Sequence, residues 1–140
     1  QVYLAKSFGA DAILIILSAI EEKTAKEIYD VANRLDISTI VEVHTNEEAR
    51  NALNFKDAII GINNRNLKTL KTDIGTTYNL HKILLNHSGP LVCESGIKTE
   101  NDVEEIVRKT KINNFLIGES LLNDLDKNST LLKKISQIST

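Results

Sequence analysis

The chain has no methionine, no tryptophan and only one cysteine, Cys93, in its 140 residues. A single cysteine excludes an intrachain disulfide framework and a zinc cluster built on thiolates. Aromatic residues make up 4%, too sparse for a platform on which nucleic-acid bases would stack. Lys and Arg number 17 against 19 Asp and Glu, a formal charge of −2. No strong field therefore draws the chain to nucleic acid or to a membrane surface. No apolar run approaches the roughly 18–20 residues needed to span a bilayer. Gln1 opens the sequence, and no basic-then-apolar targeting pattern follows it. These absences lead to the expectation of a cytoplasmic protein. The missing methionine leads to the expectation of a processed start or of a piece of a longer chain.

What is present suffices for a core. The hydrophobic fraction is 41%, and 140 residues fit one domain over 1–140 with no linker or low-complexity tract. Apolar runs alternate with helical patterns. Val2 to Phe8 reads as a helical stub and Ala12 to Leu17 (AILIIL) as a strand buried on both faces. Glu21 to Leu35 places Ala25, Ile28, Val31, Ala32 and Leu35 at helical spacing. Thr39 to Val43 reads as a second strand, and Thr45 with Glu48 as a capping box opening a short helix to Leu53. Strands are expected again at Ala58 to Ile62, Leu91 to Cys93 and Phe115 to Ile117. Helices are expected at Thr76 to Leu85, at Thr99 to Thr110, and around Leu131, Leu132, Ile135 and Ile138. Five β-α units in series predict an α/β fold with a parallel sheet. The alternation fits both an open doubly wound sheet and part of a (β/α)8 barrel.

The informative residues follow the strands. Glu42 lies within the second, His44 just after it, Asn63-Asn64-Arg65 after the third, Glu94-Ser95-Gly96 after the fourth and Gly118-Glu119-Ser120 after the fifth. In a parallel sheet these ends gather on one side, where α/β proteins hold their ligands. Each has a plain structural reading: a solvent-facing carboxylate on an edge strand, an asparagine turn, a surface arginine, a loop opening a helix, a packing glycine. Five such ends on one side are hard to obtain by chance. Glycines that open helices suit a phosphate. Glu42 and Glu94 suit a base and the charge partner of a cation. Asn63 and Arg65 suit hydroxyls or a carboxylate. His44, His81 and His87 have no ligand spacing and read as structural or solvated, and Cys93 reads as a small core residue. No carboxylate–histidine cluster suggests a metal, and there is no dinucleotide or nucleoside-triphosphate motif.

The stretches QVYLAKSFGADAILIILSAI, IVEVHTNEEA, IIGINNRNLKTL, VCESGIKTENDV and FLIGESLL resemble, in order and spacing, indole-3-glycerol-phosphate synthase of tryptophan biosynthesis. That family is a (β/α)8 barrel. It closes the indole ring of a carboxyphenylamino-deoxyribulose phosphate with loss of CO2 and water, and uses no organic cofactor or metal. The resemblance implies that Glu42 is the general base. It makes Asn63 and Arg65 substrate-holding residues, and Glu94 the carboxylate beside the catalytic lysine. Ser95 and Gly96 become substrate and phosphate contacts, Gly118 and Glu119 the loop whose backbone N–H groups bind phosphate, and Leu14 an apolar lining of the ring pocket. Asn66 stands where many members have Asp, and Glu119 where some have Ser.

The resemblance also implies that these residues supply strands four to eight of the barrel, a partial barrel of five βα units. The family's catalytic lysines and first glutamate belong to strands one to three. Lys6, Lys68 and Lys71 fall on helix or loop surfaces and do not replace them. The 140 residues alone are expected not to turn over, and to expose an apolar inner face, including Leu14, Ile16 and Ile60, and strand edges that promote self-association. A missing N-terminal segment, or fusion to a second tryptophan-pathway domain, fits the same pattern. The alternatives are a non-catalytic half-barrel that binds a phosphorylated ligand, and another phosphate-binding barrel such as phosphoribosylanthranilate isomerase.

Overall fold

The apolar runs form strands because their β-branched and aromatic residues pack on a pleated surface. A computed structural model of the chain describes residues 1–122 and 128–138. Helix α1 (Val2–Ser7) is followed by β1 (Ala12–Ile16), α2 (Glu22–Arg34), β2 (Ser38–Val43), α3 (Asn46–Ala52), β3 (Ile59–Asn63) and α4 (Gly75–Ile83). A 3-10 turn, Leu84–Asn86, precedes β4 (Leu91–Glu94), α5 (Glu100–Thr110), β5 (Asn114–Leu116), α6 (Glu119–Leu122) and α7 (Asn128–Ile138). The strands form one sheet in the order β1-β2-β3-β4-β5. All four neighbouring pairs are parallel. Consecutive strands therefore pair in sequence order through helical crossovers, with no reversal of strand order. This is a run of βα units from a (β/α)8 barrel and not a doubly wound sheet.

The register assigns each side chain to a face. Ile15 pairs with Val41, Val41 with Ile60 and Ile62 with Cys93. These residues are all buried, in one core with Ala25 and Tyr29 of α2, Ala49 of α3, Leu80 of α4, and Val103 and Ile106 of α5. The other face carries Leu14 and Ile16, Ile40 and Glu42, Gly61 and Asn63, Val92 and Glu94, and Leu116. Its apolar members are half-buried or open, with Leu14 at 52% and Leu116 at 51%. Ile60 departs from expectation. It lies under the helices at 0% exposure, because the period of two along β3 puts Gly61, not Ile60, on the open face.

Local signals set the helix ends. Thr45 Oγ1 accepts from Glu48 N at 3.2 Å, opening α3. Glu48 does not complete the expected box on Thr45. Its carboxylate takes the His44 N–H at 2.7 Å, one residue further back. Thr99 and Asp102 do form a complete box at the start of α5. Helix α4 ends two residues early and tightens into the 3-10 turn. The Glu119–Leu122 turn was not expected from the sequence. Among the described residues, no helix is long and apolar enough to cross a membrane.

Candidate active site

Three polar side chains sit on the open face of the sheet yet are buried: Glu42 at 6%, Asn63 at 9% and Glu94 at 4%. Glu42 is on an inner strand, so the reading as a solvent-facing edge carboxylate does not hold. Asn63 Nδ2 donates to Glu42 Oε1 at 3.1 Å, and Asn63 Oδ1 accepts from Arg65 N at 2.9 Å. Glu94 comes from β4, two strands away from Glu42. It reaches across because Gly61 of β3 has no side chain: a Cβ there would stand 2.0 Å from Glu94 Oε1. Burial, followed by the Glu42 charge and a hydrogen bond to Glu42, pushes the Glu94 carboxyl up to about 7 from 4.5. Below about pH 7 Glu94 thus holds a proton against Glu42, as two close carboxylates favour. One acid-base pair is thereby held in fixed geometry.

His44 joins this cluster. Its Nε2 lies 3.1 Å from Glu42 Oε1, and its Nδ1 3.3 Å from Glu48 Oε2. The Nε2 contact has ion-pair distance but not hydrogen-bond direction. From the sequence alone His44 reads as structural or solvated. The signal that finds it is the two-residue step from Glu42, which puts both on the same side of the chain.

Beside the carboxylates lies a cavity of about 1010 Å³, lined among others by Arg65, Lys71, Ser95, Gly96, Lys98 and Gly118. Ser95 and Gly96 both have positive φ, +63° and +77°. This left-handed turn costs Ser95 roughly 1–2 kcal/mol and Gly96 nothing comparable. It is tied down by Ser95 N donating to Leu116 O at 3.3 Å. Among the described residues no hydrogen bond engages the N–H of Gly96 or of Gly118, so both remain available to a ligand. Arg65 donates from Nη1 to Leu70 O at 3.0 Å and pairs through Nη2 with Glu119, also on the cavity wall. Asn66 Oδ1 accepts from the N–H groups of Lys68 and Thr69. A neutral Asn thus does the turn-capping work an Asp could do.

The structure therefore gathers Glu42, Asn63 and Glu94 in one buried cluster, and Arg65, Ser95, Gly96, Gly118 and Glu119 around one adjoining cavity. Leu14 is apart, on the open face of β1, two residues before the Ile16 that pairs with Glu42. Lys71, expected on a loop surface, stands on the cavity wall, and Lys98, which the sequence did not single out, stands there with it. Single lysines in loops carry no periodic signal, and only the fold brings them together. Burial pushes the Cys93 thiol up, in keeping with a core cysteine. Among the described residues, no three His, Cys, Asp or Glu side chains cluster as metal ligands do.

A family model described as indole-3-glycerol phosphate synthase matches residues 1–134. The chain is 40% identical over 131 residues to an indole-3-glycerol phosphate synthase of Polynucleobacter asymbioticus, covering 94% of this chain and 48% of the relative. It is 44% identical over 124 residues to that of Hyphomonas neptunium, covering 87% and 45%. The chain thus spans about half the length of these curated relatives. Among solved structures, a thiamine phosphate pyrophosphorylase from Pyrococcus furiosus superposes with a TM-score of 0.69 at 17% identity, over 100% of this chain and 66% of the other. That last likeness concerns the fold alone.

Proposed function

The chain belongs to the indole-3-glycerol phosphate synthase family, and from that premise we propose that it forms the late-strand half of the family's ring-closing site. The observation that carries this reading is the buried Glu42–Asn63–Glu94 cluster whose chain neighbours Arg65 and Ser95 line a cavity with two uncommitted glycine N–H groups. In this reading Glu42 is the base that removes a proton as the indole ring closes with loss of CO2 and water. Asn63 orients Glu42, and both Asn63 and Arg65 hold the substrate. Gly96 and Gly118 offer N–H groups to the substrate phosphate, with Ser95 beside them. Leu14 and its apolar neighbours on the open face line the aromatic end. The general acid that protonates the substrate carbonyl is a lysine of the family's strands one to three, which Glu94 would face. The 140 residues taken alone then bind phosphate but do not close the ring.

The phosphate step is testable in the chain by itself. Titration with inorganic phosphate, followed by amide NMR, is expected to shift the Ser95, Gly96 and Gly118 resonances together. Unmoved amides at saturating phosphate would remove this part of the proposal. Glu119 makes a sharper case. Its carboxylate holds Arg65 and repels an incoming anion, so Glu119→Ser is expected to tighten phosphate by about two- to fivefold, the range of an exposed ion pair. An unchanged or weaker affinity would count against Glu119 as the competitor.

The open face and the edges of β1 and β5 also support self-association. Unpaired strand edges beside apolar surface template further pairing. Sedimentation of the 140 residues is expected to show a mass that rises with concentration across the micromolar range. A monomer at every concentration, with protected amides along β1 and β5, would contradict it.

A further inference from the structure

We infer that Asn64 is a positioning residue that fixes the left-handed Ser95–Gly96 turn and thereby sets the anion-binding edge of the cavity. Asn64 does not line the cavity and is 2% exposed. Its N–H extends the β3–β4 pairing by donating to Glu94 O at 2.9 Å, and its carbonyl closes the loop before α4 by accepting from Asp73 N at 3.0 Å. Its side-chain amide is committed at both ends. Nδ2 donates to Glu94 O and Ser95 O, each at 3.1 Å, and faces Cys93 Sγ at 3.3 Å. Oδ1 accepts from Thr77 N at 3.1 Å and Thr77 Oγ1 at 2.8 Å. Carbonyls on one side and donors on the other permit only one orientation of the amide.

The consequence falls on Ser95. The two peptide units that flank it begin at the Glu94 and Ser95 carbonyls, and Asn64 holds both. Without that grip, a non-glycine residue at φ +63° relaxes toward extended or helical backbone. The Gly96 N–H, carried on the Ser95 peptide, then turns with it. Gly96 is fitted to the same place: a Cβ would meet Asn64 Cβ at 3.6 Å and Thr72 Cβ at 3.2 Å. Thr77, in the first turns of α4, anchors the amide from the side away from Ser95. Asn64 thus links α4, the end of β3 and the turn after β4 through one buried side chain.

The anion half of this inference rests on the phosphate reading above, and the experiment separates the two. The 140-residue chain, Asn64→Ala and Thr77→Val are compared by amide NMR, with and without inorganic phosphate, alongside urea unfolding. Asn64→Ala is expected to weaken phosphate about tenfold or more, the size of one hydrogen bond to a charged group. It should also introduce microsecond–millisecond exchange at Ser95 and Gly96 while the Gly118 amide stays as it was. Thr77→Val removes one of two donors to Oδ1 and leaves the Nδ2 bonds in place. It should lower stability yet keep phosphate affinity within about twofold. An Asn64→Ala chain that binds phosphate like the parent, or a Thr77→Val chain that loses as much affinity as Asn64→Ala, would overturn the positioning role. If the parent chain binds no phosphate, the phosphate reading fails by itself. Quiet Ser95 and Gly96 amides in Asn64→Ala would then still overturn the inference, and exchange confined to them would support it. If Asn64→Ala does not fold, Asn64→Ser, which retains one side-chain donor and removes the bond to one or other carbonyl, is read by the same exchange and affinity.

Discussion

Glu42→Gln is expected to lower ring closure by about 10²–10⁴-fold, the usual worth of a positioned general base. The setting is these 140 residues completed by a segment carrying the family's strands one to three. The substitution keeps size, and a Gln Oε1 still accepts from Asn63 Nδ2, which now reaches Glu42 at 3.1 Å. Substrate affinity should therefore change little while the rate collapses, separating KM from kcat. Indole product fluorescence gives both numbers. A rate within tenfold of the parent would remove Glu42 from the chemistry.

Glu94→Gln should make the chain more stable at alkaline pH. Glu94 is raised in the folded chain to about 7 from 4.5, so between those values the folded state binds more protons than the unfolded state. The stability this group contributes is complete below about pH 4.5 and is lost as pH rises through about 7. Above that, two carboxylates face each other across Gly61. Glutamine donates the same hydrogen bond to Glu42 without ever ionising. The gain is expected to be about 2 kcal/mol larger at pH 8 than at pH 5. Urea midpoints of the two proteins at both pH values read it directly. An equal gain at both would mean that packing, and not charge, is responsible. Gly61→Ala gives the complementary result. The new Cβ displaces the Glu94 carboxyl, which should then titrate closer to an ordinary glutamate.

The strands were legible because the apolar runs are punctuated and the longer ones are branched, whereas the alternation by itself left their order in the sheet open. AILIIL and AIIGI have few other fates in a chain that alternates with helices. The polar strand ends were legible for the same reason, since a parallel sheet sends them all one way. What stayed hidden needed the third dimension. Ile60 looked like an inner-face residue until the pleat was fixed, because a continuous apolar run does not declare its faces. Gly61 read as one more small residue, although it is the gap through which Glu94 meets Glu42. His44 had no ligand spacing, and its partner Glu48 seemed occupied in a cap. Asn64 was indistinguishable from Asn63 in sequence. One points to the open face and the other into the seam between α4 and β4, the separation that a single-residue step along a strand imposes.

The proposal that this chain holds half of a ring-closing site meets its most direct measurement in one assay. Indole-ring formation is followed for the 140 residues alone and again after titration with a separate segment carrying the family's strands one to three. The chain alone should give no product above background. Activity should appear on mixing and saturate near one equivalent. Closure by the chain alone at a rate near that of a full-length family enzyme, or no activity from a mixture shown by sedimentation to have associated, would contradict it.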